Sequence, residues 1–145
     1  MTCSQPQLFK DLLAYTVIVP YEVSLTTPVA VSDPSIYING CCWGGDVLRD
    51  RLRSPIVSGT YQRIQTEQED WGWFIWFSDG ETRLAIDIHC DDIPRCKFRI
   101  HLTSRRKRFL LSSVVTDTPE LERLREVVMQ DIDRWTGAPA VIEHI

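Results

Sequence analysis

The chain has 145 residues, 43% hydrophobic and 25% charged, with 16 basic against 20 acidic residues and a formal net charge of −4. That length supports a single domain, residues 1–145, with a core of its own; the acidic balance argues against a general nucleic-acid binder, which shows a basic excess. The apolar runs fall far short of the ~20 residues of a membrane-spanning helix, and MTCSQPQLFK lacks the basic and apolar segments of a secretory signal, so no membrane association and a cytoplasmic location are expected. The five cysteines are odd in number and follow no export signal, which predicts reduced thiols instead of a disulfide framework.

Residues 5–14 (QPQLFKDLLA) place Leu8, Leu12 and Leu13 on one side of a short N-terminal helix. Residues 16–25 (TVIVPYEVSL) are rich in β-branched and aromatic types, but Pro20 makes them an edge or interrupted strand. A long irregular connection follows, carrying Pro28, Pro34 and the Cys41-Cys42-Trp43-Gly44-Gly45 loop. Residues 46–53 (DVLRDRLR) suit two helical turns with Asp46 as N-cap. From residue 56, IVSGTYQRIQTE reads as a strand, with Gly59 as a bulge.

The stretch EDWGWFIWFSDGETRLAIDIHCDD is the densest in the chain. Asp79-Gly80 is a hairpin signal, because both central residues of a type I′ turn need positive φ. With that turn Phe77 faces Thr82, Ile75 faces Leu84 and Trp73 faces Ile86. Side chains alternate across a sheet, so Trp71, Trp73, Ile75 and Phe77 share a core face with Leu84, Ile86 and Ile88. Residues 96–103 continue the pattern: pairing Cys90 with Cys96 across DDIPR sets Ile88 opposite Phe98 and Asp87 opposite Arg99. Thr118 then caps a long helix that starts at Pro119, bears Glu120 and Glu122 at the positive end of its dipole, and carries the stripe Leu121, Leu124, Val128, Ile132, Trp135. Gly137 and Pro139 end it, and AVIEHI returns as a short strand. The expected fold is α+β: an antiparallel meander sheet of four to six strands packed on one long C-terminal helix, with the short N-terminal helix beside it.

Several clusters invite a chemical reading. His89, Cys90, Asp91, Asp92 and Cys96 are metal-ligand types, but the paired spacing of a zinc site is missing and neighbours in a regular strand point to opposite faces. Neither a metal nor another cofactor is expected. Cys41–Gly45 is the loop where a reactive thiol with His89 or His101 nearby would make a small enzyme or ligand binder, although no cysteine signature surrounds it. Glu67, Glu69 and Asp70 crowd the residues before Trp71, and spacing along one loop does not make the two placed carboxyls of glycosidic chemistry. SRRKR at 104–108 follows a strand bearing Lys97, Arg99 and His101, so residues 97–108 carry an alternative reading as a nucleic-acid accessory surface. Its bland counterpart is a solvated loop pairing with Asp117, Glu120 or Glu122.

The outer face of the meander is the least ordinary feature. The alternation puts Phe74 and Trp76 there with Arg83, Ala85, Asp87, Lys97, Arg99 and His101. Either residues 26–54 cover the two aromatics, or aromatics beside arginines form an interface. No catalytic constellation stands out, so the leading expectation is a non-enzymatic, intracellular protein-binding domain using Phe74, Trp76, Arg83, Lys97, Arg99 and His101. By class analogy (small, acidic, single-domain), a toxin-neutralising immunity protein of bacterial type, an antitoxin whose partner is a toxin, is the narrower expectation.

Overall fold

The computed structural model describes residues 21–107, 113–136 and 141–144. The elements in chain order are β1 (Tyr21–Thr26), two short 3₁₀ turns (Pro34–Ile36 and Gly40–Cys42), α1 (Gly45–Ser58), β2 (Gln62–Glu69), β3 (Gly72–Asp79), β4 (Thr82–Asp92), β5 (Lys97–Lys107), β6 (Ser113–Val115), α2 (Pro119–Thr136) and β7 (Val141–His144). The seven strands form one antiparallel sheet in the order β2-β3-β4-β5-β1-β7, and β6 pairs with β5 beyond the end of β1. Both helices lie on one face of it, where Leu48, Leu52 and Ile56 of α1 and Leu121, Leu124, Val128 and Ile132 of α2 meet Ile75, Phe77, Leu84, Ile86, Ile88, Phe98, Ile100 and Leu102. This is the expected α+β architecture, with a helix before the meander sharing the core face. The proposed helix at residues 5–14 lies outside the described residues, as do Pro20, Gly137 and Pro139.

The long helix forms as read. The Leu121 amide donates to Thr118 Oγ1 at 3.1 Å, and the apolar stripe is buried up to Ile132, with Trp135 packed against its edge. The α1 region differs from expectation. The helix runs on through Pro55 to Ser58, its N-cap is Gly44, and Asp46 sits inside the first turn, where it accepts from Tyr37 Oη at 2.6 Å. Residues 56–58 are therefore helical and not strand. Ile56 follows Leu48 and Leu52 at four-residue spacing and all three are fully buried, so packing of that stripe outweighs the hydrogen bond lost at Pro55. Gly59 is the C-cap, and the bulge lies further on, between Gln62 and Gln65, with Arg63 at φ 54°.

Both hairpin registers are displaced by two residues from those expected. The first turn is Gly80-Glu81, with Asp79 opposite Thr82; Phe77 pairs with Leu84, Ile75 with Ile86 and Trp73 with Ile88. Gly80 alone has positive φ there, as a turn with glycine at the first central position requires. In the second hairpin Cys90 pairs with Phe98, Ile88 with Ile100 and Asp87 with His101, while Cys96 enters the turn at φ 52°. A shift of two preserves parity, so the face assignments survive although every partner changes. Trp71 is the exception. It precedes β3, and its ring lies 6.5 Å from Phe74 and 5.2 Å from His89, on the outer side instead of the core side. Gly72 makes that break at φ 148°, with a built Cβ only 2.0 Å from the Ile88 carbonyl oxygen, so no larger residue fits. β1 is not an edge strand, since β5 flanks it on one side and β7 on the other.

Candidate functional site

The outer face of β3, β4, β5 and β1 carries an aromatic strip beside a row of titratable groups. Registers alone set it out: Trp76 lies opposite Ala85 and Gln65, while Phe74 lies opposite Asp87 and Glu67. Asp87 is followed across the sheet by His101 and Glu22. Residues 26–54, the segment long enough to cover the aromatics, lie on the opposite face. Trp73 Nε1 donates to the Cys42 carbonyl at 2.8 Å, and Gln68, on the core side, bonds Ile36 and Ile38. Trp76 is accordingly 40% exposed, the largest exposed apolar side chain on this face, whereas Phe74 is 5% exposed.

Trp76 is held on two sides. Its ring stacks on Phe74 at 3.9 Å with 21° between planes, and its indole N–H donates to Asp87 Oδ1 at 3.1 Å. Asp87 is 3% exposed. Burial pushes its carboxyl up to about 7, against the lowering effects of the Trp76 hydrogen bond and the Arg105 charge. Beside it, His101 Nε2 lies 2.9 Å from Glu22 Oε1 and the two imidazoles of His89 and His101 meet edge to face at 5.1 Å. His89 Nδ1 lies 2.9 Å from the Trp71 carbonyl; a carbonyl only accepts, so Nδ1 carries the proton. Arg99 reaches Glu22 at 3.5 Å and Asp91 at 3.2 Å. Burial raises Glu22, but the hydrogen bonds and charges of His101 and Arg99 outweigh it and hold the group below the ordinary carboxylate range.

The six residues singled out from sequence do not form one patch. Trp76 and Arg83 lie together, with Phe74 beneath the tryptophan. Arg99 and His101 are half-buried and committed to Glu22. Lys97 is opposite Thr26 and Asp92, six positions along β5 from the residue level with Trp76 and Ala85, which is about 20 Å at ~3.3 Å per residue. Glu22, His89 and Trp71 were missed as members of this face. The parity of β4 places His89 on it beside Asp87, but Glu22 joins only through the pairing of β1 with β5, and Trp71 only through the break at Gly72.

The other sequence candidates fall differently. Cys41 is disulfide-bonded, contrary to the expectation of reduced thiols throughout, whereas Cys42, Cys90 and Cys96 are free. The Cys42 thiol is fully buried, raised by that burial, and donates to the Glu69 carbonyl at 2.9 Å. These are the surroundings of a structural cysteine, not of an activated thiolate. His89 and Cys90 point to opposite faces; Cys90 lies in the core, where burial raises it to about 11. Among the described residues no three His, Cys, Asp or Glu side chains converge on a common point. The basic run at 104–108 is not a loop in its described part, because β5 extends to Lys107. Ser104 is buried there, Arg105 faces the outer side, and Arg106 turns to α2, with Nη2 2.8 Å from Glu120. Alternation thus divides the described part of the run between two faces, with Arg105 opposite Arg83 on the outer one.

Among the described residues no helix is long and apolar enough to cross a membrane. Compared with known proteins, the chain matches no family model, no curated protein and no solved structure, and its functional reading therefore rests on the outer sheet face itself.

Proposed function

We propose that this chain is a non-enzymatic protein-binding domain whose docking surface is the outer sheet face centred on Trp76, with Arg83 beside it. The observation that carries the reading is that Trp76 is both exposed and immobilised: 40% accessible, yet stacked on Phe74 and hydrogen-bonded to Asp87. A large aromatic already held in one conformation loses little freedom on binding, and tryptophan and arginine dominate interface hot spots. A toxin-neutralising antagonist, acting by covering its target, is the narrower form of the proposal and rests on class analogy.

The test compares tagged wild-type protein with Trp76→Ala in capture from the native host, followed by titration of the captured protein against both. The substitution removes one aromatic stack and one hydrogen bond at the surface, so it should cost the fold about 1–2 kcal/mol. Partner binding should weaken by ~2 kcal/mol or more, about thirtyfold. A folded Trp76→Ala protein that binds its partner as tightly as wild type would remove the basis of the proposal.

A further inference from the structure

We infer that the partner docks through an acidic segment: one of its carboxylates is received by Arg83, with Arg105 opposite, while a neighbouring apolar side chain lies on the open face of Trp76. The inference rests on the docking role proposed for Trp76 and names the chemistry of what docks. One face of the indole is closed by Phe74, and its N–H edge is taken by Asp87. Phe74 and Asp87 stand in one row across the sheet, so the closed side of the ring looks toward that row. The open side looks toward the row beyond, where Arg83 is opposite Ser78 on β3 and Arg105 on β5. Among the described residues no arginine lies over this open face: the rings carrying one are Trp73, Trp135 and Tyr21. The row of Trp76 itself continues with Ala85 and Thr103. Both are small, so neither fills the space between the ring and the arginines.

The pairing of Arg83 with Arg105 calls for an anion. Like charges directly opposite each other destabilise an antiparallel pair, with Cβ atoms only about 5 Å apart. Arg83 is exposed and forms no ion pair among the described residues. Arg105 is half-buried and its charge acts on Asp87, so Arg83 is the cation left to be neutralised. The carboxyls of the next row are committed elsewhere. Asp87 is buried, accepts from Trp76 and has its charged form disfavoured by that burial; Glu22 is held by His101 and Arg99. A guanidinium takes a carboxylate through two parallel N–H bonds, and a carboxylate placed here relieves the repulsion between the arginines. The indole face beside it is apolar and held in place, which suits an aliphatic or aromatic side chain next to that carboxylate. A basic segment would meet Arg83 on the one open side of the ring. An extended polyphosphate needs a run of cations, whereas Glu67 and Glu69 on β2 and Glu81 in the adjoining turn are exposed in a chain of net charge −4.

The experiment uses the full chain with three labelled probes read by fluorescence anisotropy: a ten-residue peptide of glutamates with a central leucine, its counterpart in lysine, and a ten-nucleotide oligothymidylate. Variants are Arg83→Gln, Trp76→Ala, and the control Arg53→Gln, which removes the same charge from the exposed side of α1. The glutamate peptide should bind wild type with an affinity that falls as salt rises. Arg83→Gln and Trp76→Ala should each weaken it at least tenfold, and Arg53→Gln less than twofold. Thermal melting of Arg83→Gln should match or exceed that of wild type, because the substitution relieves a like-charge pair. No binding to wild type, equal weakening by the control, or unchanged binding in Arg83→Gln overturns the inference. A marked loss of stability in Arg83→Gln does so too, since the arginine would then serve the fold. Tighter binding of the lysine peptide or the oligothymidylate also overturns it, as does dimerisation of wild type that Trp76→Ala abolishes, since the occupant would then be a second copy. In capture from the native host, loss with Trp76→Ala but not with Arg83→Gln would leave the docking face standing and remove only its acidic partner.

Discussion

Asp87→Asn tests the environment beneath Trp76 directly. Asparagine keeps the size of the side chain and an oxygen to accept the indole N–H, but it cannot ionise. In wild type burial holds the Asp87 proton up to about pH 7, against an ordinary value of 3.8 for the free group. Between those values the folded state binds more protons than the unfolded state, so wild-type stability falls as pH rises through that window and is constant above it. At ~1.4 kcal/mol for each tenfold change, the span amounts to about 4 kcal/mol. Glu22 works in the opposite sense: its folded pKa is depressed, so its contribution is present at neutral pH and lost as pH falls through the folded value. Both proteins retain Glu22, so it cancels in the difference between them. Urea unfolding of wild type and variant, followed by circular dichroism from about pH 5 to pH 8, gives that difference. The advantage of Asp87→Asn should grow by ~1.4 kcal/mol per pH unit up to about pH 7 and then level off. A difference that stays constant within ~0.5 kcal/mol would show that Asp87 is not raised by burial. Wild type gaining on the variant with rising pH would show that the Arg105 charge outweighs desolvation.

Further outcomes follow from the core and the caps. Trp73→Ala, which empties the space beneath α1 and abandons the bond to the Cys42 carbonyl, should cost ~3–5 kcal/mol in denaturant unfolding; a cost under about 1 kcal/mol would be incompatible with the packing described. Thr118→Ala, which removes the oxygen accepting from Leu121, should cost ~1 kcal/mol, with Thr118→Ser close to wild type in thermal melts. Gly72→Ala should prevent folding or lower the melting temperature severely, because its Cβ collides with the Ile88 carbonyl and its φ is positive. Under native conditions a thiol reagent should label Cys96, which is partly exposed, well before the buried Cys42 and Cys90.

Periodicity and capping chemistry determined much of this protein before any tertiary information. Thr118-Pro119 and a stripe repeating every three or four residues specify the long helix, because those signals act within one turn of backbone. Alternation in residues 73–77, 84–88 and 98–102 assigns the two faces of the sheet, because parity survives a register slip of two. Exposure of Trp76 was one of two open alternatives at that level. Only the packing of Leu48, Leu52 and Ile56 into the core decided it, by drawing residues 26–54 to the opposite face. The same packing carried α1 through Pro55, a local signal that a buried stripe overrode. The row Asp87–His101–Glu22 was legible only in part. Asp87 and His101 are outward by alternation, but Glu22 reaches His101 from 79 residues away in sequence through the pairing of β1 with β5. Pairing of distant strands is set by the collapse of the whole core, not by any local pattern, and with it come the burial of Asp87 and the proton it holds.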